Sequence, residues 1–286
     1  MDKLKQTQSQ KKLGLILGGG GARGLSHIGI LKVLDDEKID ISSISGCSMG
    51  GLVGALYALG YSINELIEIV EKHTSIREMI NIVDRTPRRR GLIVGQRLRT
   101  LLTKLIGENT TFQDTRIPLS VNAVDLISSK EIVITEGKLI DAVMATIAVP
   151  GVFMPVEFGD HLLVDGGTLN NLPVNNIYQF HPDVLLAVDV HPDIKNEIPW
   201  QVTGQKPKIL VPVSDTFLDF YRAQLIMISR LTEINLASSP ADLVIKPALP
   251  PEFTMFYGYH HAHRLIKIGE DAAREKINQI KSLLCR

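Results

Sequence analysis

Cysteine is scarce in this chain, and the residues present do not pair in any recognisable way. The two cysteines, Cys47 and Cys285, lie at opposite ends of the 286 residues, with neither a CxxC nor a metal-ligand spacing. A disulfide framework is thereby excluded, and a reducing, cytoplasmic setting is the expectation. Net charge is also missing. Lys plus Arg total 31 and Asp plus Glu total 31, so no global field draws the protein to nucleic acid or to an anionic membrane. No segment reaches the roughly 18 to 20 apolar residues that span a bilayer, so a soluble or peripheral protein is expected. The lysine-containing start, residues 1–12, imitates a signal peptide. However, the apolar run Leu13 to Leu17 passes directly into glycines and Arg23 without a cleavage pattern, and a short disordered tail is expected instead. Internal repeats and low-complexity tracts are absent too.

What is present is 44% hydrophobic sequence in short runs that alternate with helical periodicity. This pattern predicts a mostly parallel sheet covered by helices on both faces. Strands are predicted at Leu13–Leu17, Ile41–Gly46, Leu119–Val124, Glu131–Thr135, Leu162–Val164, Val184–Val190 and Leu243–Ile245. Helices are predicted at Arg23–Asp36, Ser48–Leu59, Asn64–Lys72, Gln96–Ile106, Leu139–Ala148, Thr216–Leu236 and His263–Leu284. The proline-containing stretch His191 to Lys208 reads as a surface loop rather than a domain linker. The segments after it, Ile209–Val213 included, have apolar faces that need the same core, so residues 13–286 are expected to form one domain.

Gly46-Cys47-Ser48-Met49-Gly50 is a G-x-S-x-G placed between an apolar strand and a helix. A serine in so tight a turn needs small neighbours, which Gly46 and Gly50 supply. The turn holds the Ser48 hydroxyl at a helix N-terminus, where backbone amides and the helix dipole favour developing negative charge. The plainer reading is a glycine-bordered N-cap, but the strand and helix flanks favour a nucleophile. Cys47 is expected to point away from Ser48 into the core, with little catalytic weight.

Gly18-Gly19-Gly20-Gly21-Ala22-Arg23-Gly24 also joins a strand to a helix. Its G-x-G-x-x-G admits a dinucleotide-binding loop, whereas the missing GK[ST] excludes a Walker A loop. The competing reading is an oxyanion hole built from the amides of the glycine run. In a βαβ unit this loop and Ser48 open on the same edge of the sheet, as acyl transfer requires. Val164-Asp165-Gly166-Gly167 ends a further apolar strand, before Asn170-Asn171-Leu172-Pro173. Taken alone, its D-G-G reads first as an ordinary turn.

In this order the glycine loop GGGARG, the elbow GCSMG and the segment DGG resemble the patatin-like phospholipase family. Gly51-Leu52-Val53-Gly54-Ala55 and Val149-Pro150-Gly151-Val152-Phe153-Met154-Pro155 add to the likeness, which centres on a motif-bearing core at 14–178. The resemblance implies a three-layer α/β/α fold and a Ser–Asp dyad without a catalytic histidine, acting on lipid or other acyl esters through an acyl-enzyme. It maps Ser48 to the nucleophile and Asp165 to the base. Gly19, Gly20 and Gly21 map to the oxyanion loop, with Arg23 as its basic residue, and the Met49 amide joins them. Gly24, Gly46, Gly50, Gly166 and Gly167 support the motifs. Met144-Ala145-Thr146 departs from the family's usual alanine-serine pair and puts only local packing in doubt. No cofactor or metal is implied.

Two other readings stay open. A Ser-Asp-His triad could draw on His260, His261 or His263. A binding or regulatory protein could use the same crevice without chemistry. Elsewhere, Arg85, Arg88, Arg89 and Arg90 before Leu98, Leu101, Leu102 and Leu105 suggest either a basic amphipathic element at a lipid surface or a loop leading to a packed helix. Phe253, Met255, Phe256, Tyr257 and Tyr259 suggest an acyl-pocket wall, an oligomer contact or a satellite core. The histidine cluster lacks partners at metal-binding spacing. Acyl-chain preference, head group and oligomeric state are not encoded in any of these patterns.

Overall fold

In a computed structural model of the protein, residues 11–75, 95–192, 194, 214–254 and 257–285 are described. Arg85, Arg88, Arg89, Arg90, Ile209–Val213, Met255 and Phe256 lie outside them. The strands are β1 (Leu13–Leu17), β2 (Ile41–Gly46), β3 (Leu119–Asp125), β4 (Lys130–Ile134), β5 (Val156–Phe158), β6 (His161–Asp165), β7 (Val184–Val188) and β8 (Leu243–Ile245). The α-helices among the described residues are α1 (Ser26–Asp36), α2 (Met49–Ala58), α3 (Ile63–His73), α4 (Gln96–Ile106), α5 (Leu139–Thr146), α6 (Asp215–Ser238) and α7 (Ala262–Leu284).

The strands form one sheet in the order β5-β6-β3-β2-β1-β7-β8, with β4 also paired to β3. Pairings β1–β2, β1–β7, β2–β3 and β7–β8 are parallel, whereas β3–β4, β3–β6 and β5–β6 are antiparallel. All of β1 is buried, as a central strand covered on both faces must be. Leu13, Leu15 and Leu17 enter the larger core with α1, α2, α3 and α7. Ile16 points the other way, into a second cluster with Leu172, Val174, Ile177, Leu185 and Ala187, against which Leu236 of α6 packs. The protein is thus an α/β fold with a mostly parallel central sheet between two layers.

Element starts follow local chemistry. Ser62 and Glu65 form a reciprocal capping box that begins α3. The Ser214 hydroxyl accepts from the Phe217 amide at 3.2 Å and begins α6. The predicted helix at Arg23 instead starts at Ser26, because Gly21–Leu25 winds as a tighter 3-10 turn. The short strand β5 was not predicted. Only Glu157 of its three residues is exposed, and so short a length offers too little alternation to detect. Leu102 is buried in the main core and Leu98 and Leu105 pack against it, so this face of α4 serves packing.

Two features of register build a crevice. Leu17 and Gly46 are partners at the ends of adjacent parallel strands, so the loops that follow them emerge side by side. Strand β3 pairs its first half with β2 up to Val121, opposite Gly46, and its later half with β6, where Ala123 faces Asp165. Strand β6 therefore takes over the edge of β3 just where β2 ends, and delivers Asp165 beside the elbow.

Candidate active site

Ser48 has φ 52° and ψ −123°, a conformation that non-glycine residues rarely adopt. The turn is held because the backbone passes very close to itself. A Cβ on Gly46 would lie 2.6 Å from Gly51 Cα, and one on Gly50 would lie 2.2 Å from the Leu17 carbonyl oxygen. Backbone cannot yield as a side chain can, so both positions exclude every larger residue. The Ser48 amide donates to the Thr146 hydroxyl at 2.9 Å, which ties the elbow to the end of α5.

The Ser48 hydroxyl donates to Asp165 Oδ2 at 2.5 Å. The other carboxyl oxygen, Oδ1, accepts from the Gly167 amide at 2.8 Å and from the Cys47 thiol at 3.7 Å. Burial dominates and raises the Asp165 pKa to about 6, although all three hydrogen bonds oppose it. Burial also holds the Cys47 thiol well above its ordinary pKa, with the Asp165 charge adding to the effect, so it remains a protonated donor. Cys47 is buried as expected, but it does not point away from the site. Its thiol reaches the Asp165 carboxylate, because a residue that follows the end of β2 meets the strand that replaces β2 along β3.

The glycine loop lies across the same crevice, and its amides divide. Gly18 donates to Val188 O and Gly19 to Asn171 O, each at 3.0 Å. The Asn171 side chain returns a bond to Gly19 O at 3.0 Å. Gly19 is therefore a clamped residue rather than the oxyanion donor expected from the motif. The amides of Gly20, Gly21 and Met49 have no hydrogen-bond partner among the described residues. A cavity of about 300 Å³ opens onto the loop, Ser48 and Asp165, with an outer wall from Tyr221, Leu225, Ile228 and Leu231 of α6. Among the described residues no group of His, Cys, Asp and Glu could hold a metal ion.

The model of the family described as patatin-like phospholipase matches residues 15–177. The chain belongs to this family. An uncharacterised NTE family protein of Mycobacterium tuberculosis is 32% identical over 183 residues, which are 64% of this chain and 50% of that protein. Lysophospholipase NTE1 of Kluyveromyces lactis is 32% identical over 192 residues, 66% of this chain and 13% of the relative. The chain thus spans half the length, or much less, of these curated relatives. Among solved structures, human GIVD cytosolic phospholipase A2 superposes with a TM-score of 0.52 at 12% identity, covering 99% of this chain and 60% of that one. That likeness is one of fold.

Within this patatin-like site, the other residues singled out in the sequence take definite places. Arg23 is buried, lines the cavity and donates through Nε to the Phe253 carbonyl at 2.6 Å. Phe253 packs with Ala22, Leu25, Ala262 and Leu265 in a satellite core and is not part of the cavity wall. Gly24 packs against Met49, since a Cβ there would meet the methionine side chain at 2.4 Å. Gly166 lies equally close to Asn122. His260, His261 and His263 are outside the cavity wall, and His263 instead pairs with Glu71 at 3.0 Å. The wall contains His191, the first residue of the stretch that the sequence places in a surface loop. Thr146 and Asn171 were also undervalued. A hydroxyl at the family's usual serine position was the available clue for Thr146, and proximity to DGG was the clue for Asn171.

Proposed function

We propose that the chain is a serine hydrolase of lipid acyl esters, with Ser48 as nucleophile and Asp165 as its base. The observation that carries this reading is the 2.5 Å hydrogen bond from the Ser48 hydroxyl to a buried carboxylate, at the mouth of an apolar cavity. Membership of the patatin-like phospholipase family and the name of the lysophospholipase relative support a lipid ester as substrate.

Asp165 takes the Ser48 proton as Oγ bonds to the ester carbonyl carbon, and the carbonyl electron pair moves onto oxygen. The amides of Gly20, Gly21 and Met49, which have no hydrogen-bond partner among the described residues, receive that oxyanion, each worth about 10²-fold or more in rate. The intermediate then expels the alcohol, which takes the proton held by Asp165 and leaves an acyl-enzyme. Water attacks next, gives its proton to Asp165, and releases the fatty acid as Ser48 regains a proton. A carboxylate is a poor base beside imidazole. Burial offsets this in part, because a pKa near 6 makes Asp165 more basic than an exposed aspartate.

The test is a hydrolysis panel of acyl chains and head groups, run beside labelling by a fluorophosphonate probe. Ser48→Ala and Asp165→Asn should each lower turnover by about 10³-fold or more, and Ser48→Ala should abolish labelling. Undiminished hydrolysis by a folded Ser48→Ala protein would falsify the assignment.

A further inference from the structure

Every backbone polar group from the Gly18 amide to the Gly20 carbonyl is held in place except one. Gly18 N donates to Val188 O and Gly19 N to Asn171 O, each at 3.0 Å, while Arg23 N donates to Gly20 O at 3.2 Å. Gly19 O accepts from Asn171 Nδ2 at 3.0 Å. Gly18 O is 2.8 Å from Nε2 of His27, in the first turn of α1. A carbonyl accepts and never donates, so the ring carries its proton on Nε2. The exception is the Gly20 amide, which has no partner among the described residues. His27 is fully buried, and its Nδ1 also lacks a partner among the described residues. Burial lowers the pKa of the ring to about 4, against the Gly18 hydrogen bond and the Asp189 charge, so the imidazole is neutral at neutral pH. Packing alone does not call for an imidazole here, because an apolar side chain would fill the space without burying a bare nitrogen. The bond to Gly18 O is what the ring adds.

These grips fix where the open amide points. Across a planar trans peptide, the carbonyl and the next N–H point in opposite directions. Asn171 Nδ2, by holding Gly19 O, therefore sets the direction of the Gly20 N–H. His27, by holding Gly18 O, sets the Gly19 N–H toward Asn171 O in the same way. The Gly18 carbonyl also lies against the elbow, since a Cβ on Gly50 would fall 2.7 Å from its oxygen. We propose that His27 and Asn171 are positioning residues, which act through the Gly18–Gly19 backbone to aim the Gly20 amide at the oxyanion. This role rests on the Ser48 acyl-transfer reading and deepens it.

The experiment measures, by calorimetry, binding of octyl trifluoromethyl ketone and of the secondary alcohol of the same chain to the wild type, His27→Leu, His27→Gln, Asn171→Leu and Ser48→Ala. The ketone adds the Ser48 hydroxyl and becomes an oxyanion, whereas the alcohol occupies the cavity without forming one. Asn171→Leu should bind the ketone about 10²-fold more weakly, the value of one oxyanion donor, and His27→Leu about tenfold more weakly. Affinity for the alcohol should stay the same in both, and ester turnover should lose kcat with KM nearly constant. His27→Gln, whose amide can donate to Gly18 O, should recover part of the loss. If His27→Leu does not fold by circular dichroism, Asn171→Leu decides the outcome. Equal losses for ketone and alcohol overturn the proposal, as does an unchanged affinity for the ketone. A folded His27→Gln protein no better than a folded His27→Leu overturns the part of His27. Ser48→Ala should bind the ketone no better than the alcohol. A Ser48→Ala protein that holds the ketone as tightly as the wild type overturns the acyl-transfer reading itself.

Discussion

A single carboxylate carries most of the consequences at the residue scale. With its pKa raised to about 6 by burial, Asp165 is ionised only above that pH, so under the proposed mechanism kcat/KM should climb with pH through a midpoint near 6. Cys47 tunes this midpoint, since its thiol stabilises the charged carboxylate. Cys47→Ala should move the midpoint up and Cys47→Ser should move it down, each by about half a pH unit. The same raised pKa affects stability. The folded protein binds the Asp165 proton more tightly than the unfolded chain, so this group favours folding below pH 4 and loses that contribution as pH rises through 6. Asp165→Asn should therefore be more stable than wild type at pH 8, by on the order of 2–3 kcal/mol, and the difference should vanish near pH 4. Urea unfolding of both proteins at the two pH values measures it. Thr146→Val should leave the Ser48 amide without its acceptor, lowering stability by about 1–3 kcal/mol and turnover with it.

At the scale of elements, α1 and α7 pack backbone against backbone. A Cβ on Gly29 would lie 2.0 Å from Ile266 O, and one on Gly269 would lie 1.9 Å from Ser26 O. Alanine ordinarily favours a helix by about 1 kcal/mol over glycine, but here it must push two backbones apart. Gly269→Ala should thus lower the melting temperature despite its better propensity, which calorimetry would show. Helix α6 has a different task. Leu225, Met227, Ile228 and Leu231 line the cavity, with Met227 also exposed, while Phe220, Ile226 and Ile234 are exposed away from its wall. Filling the cavity from this helix with Ile228→Trp should depress kcat/KM for long acyl esters about tenfold and spare short ones, as a chain-length series would reveal.

For the whole molecule, the family match ends at residue 177, yet the sheet does not end there. Strand β7 pairs along the full length of β1, β8 extends β7, and α7 packs on α1. Without these parts the fully buried β1 would present an open edge. Far- and near-UV circular dichroism should consequently report one coincident unfolding transition. Among the described residues no helix is long and apolar enough to cross a membrane.

The local features were legible because short-range sterics and periodicity impose them. Helix α4 was read to its ends, β1 and β2 likewise, and the elbow declared itself through Gly46 and Gly50, whose absent side chains the turn demands. The order of motifs also pointed to Asp165. The tertiary structure alone decided which amides are clamped and which are open, that Cys47 and Thr146 contact Asp165 and Ser48, that Asn171 holds the glycine loop, and that His191 lines the same cavity. Ser48 and Thr146 are 98 residues apart, and Asn171 and Gly19 are 152 apart. Periodicity describes which face of an element is buried but not which element comes to lie beside it. Strand order makes that choice, here by letting β6 continue the edge of β3 where β2 stops.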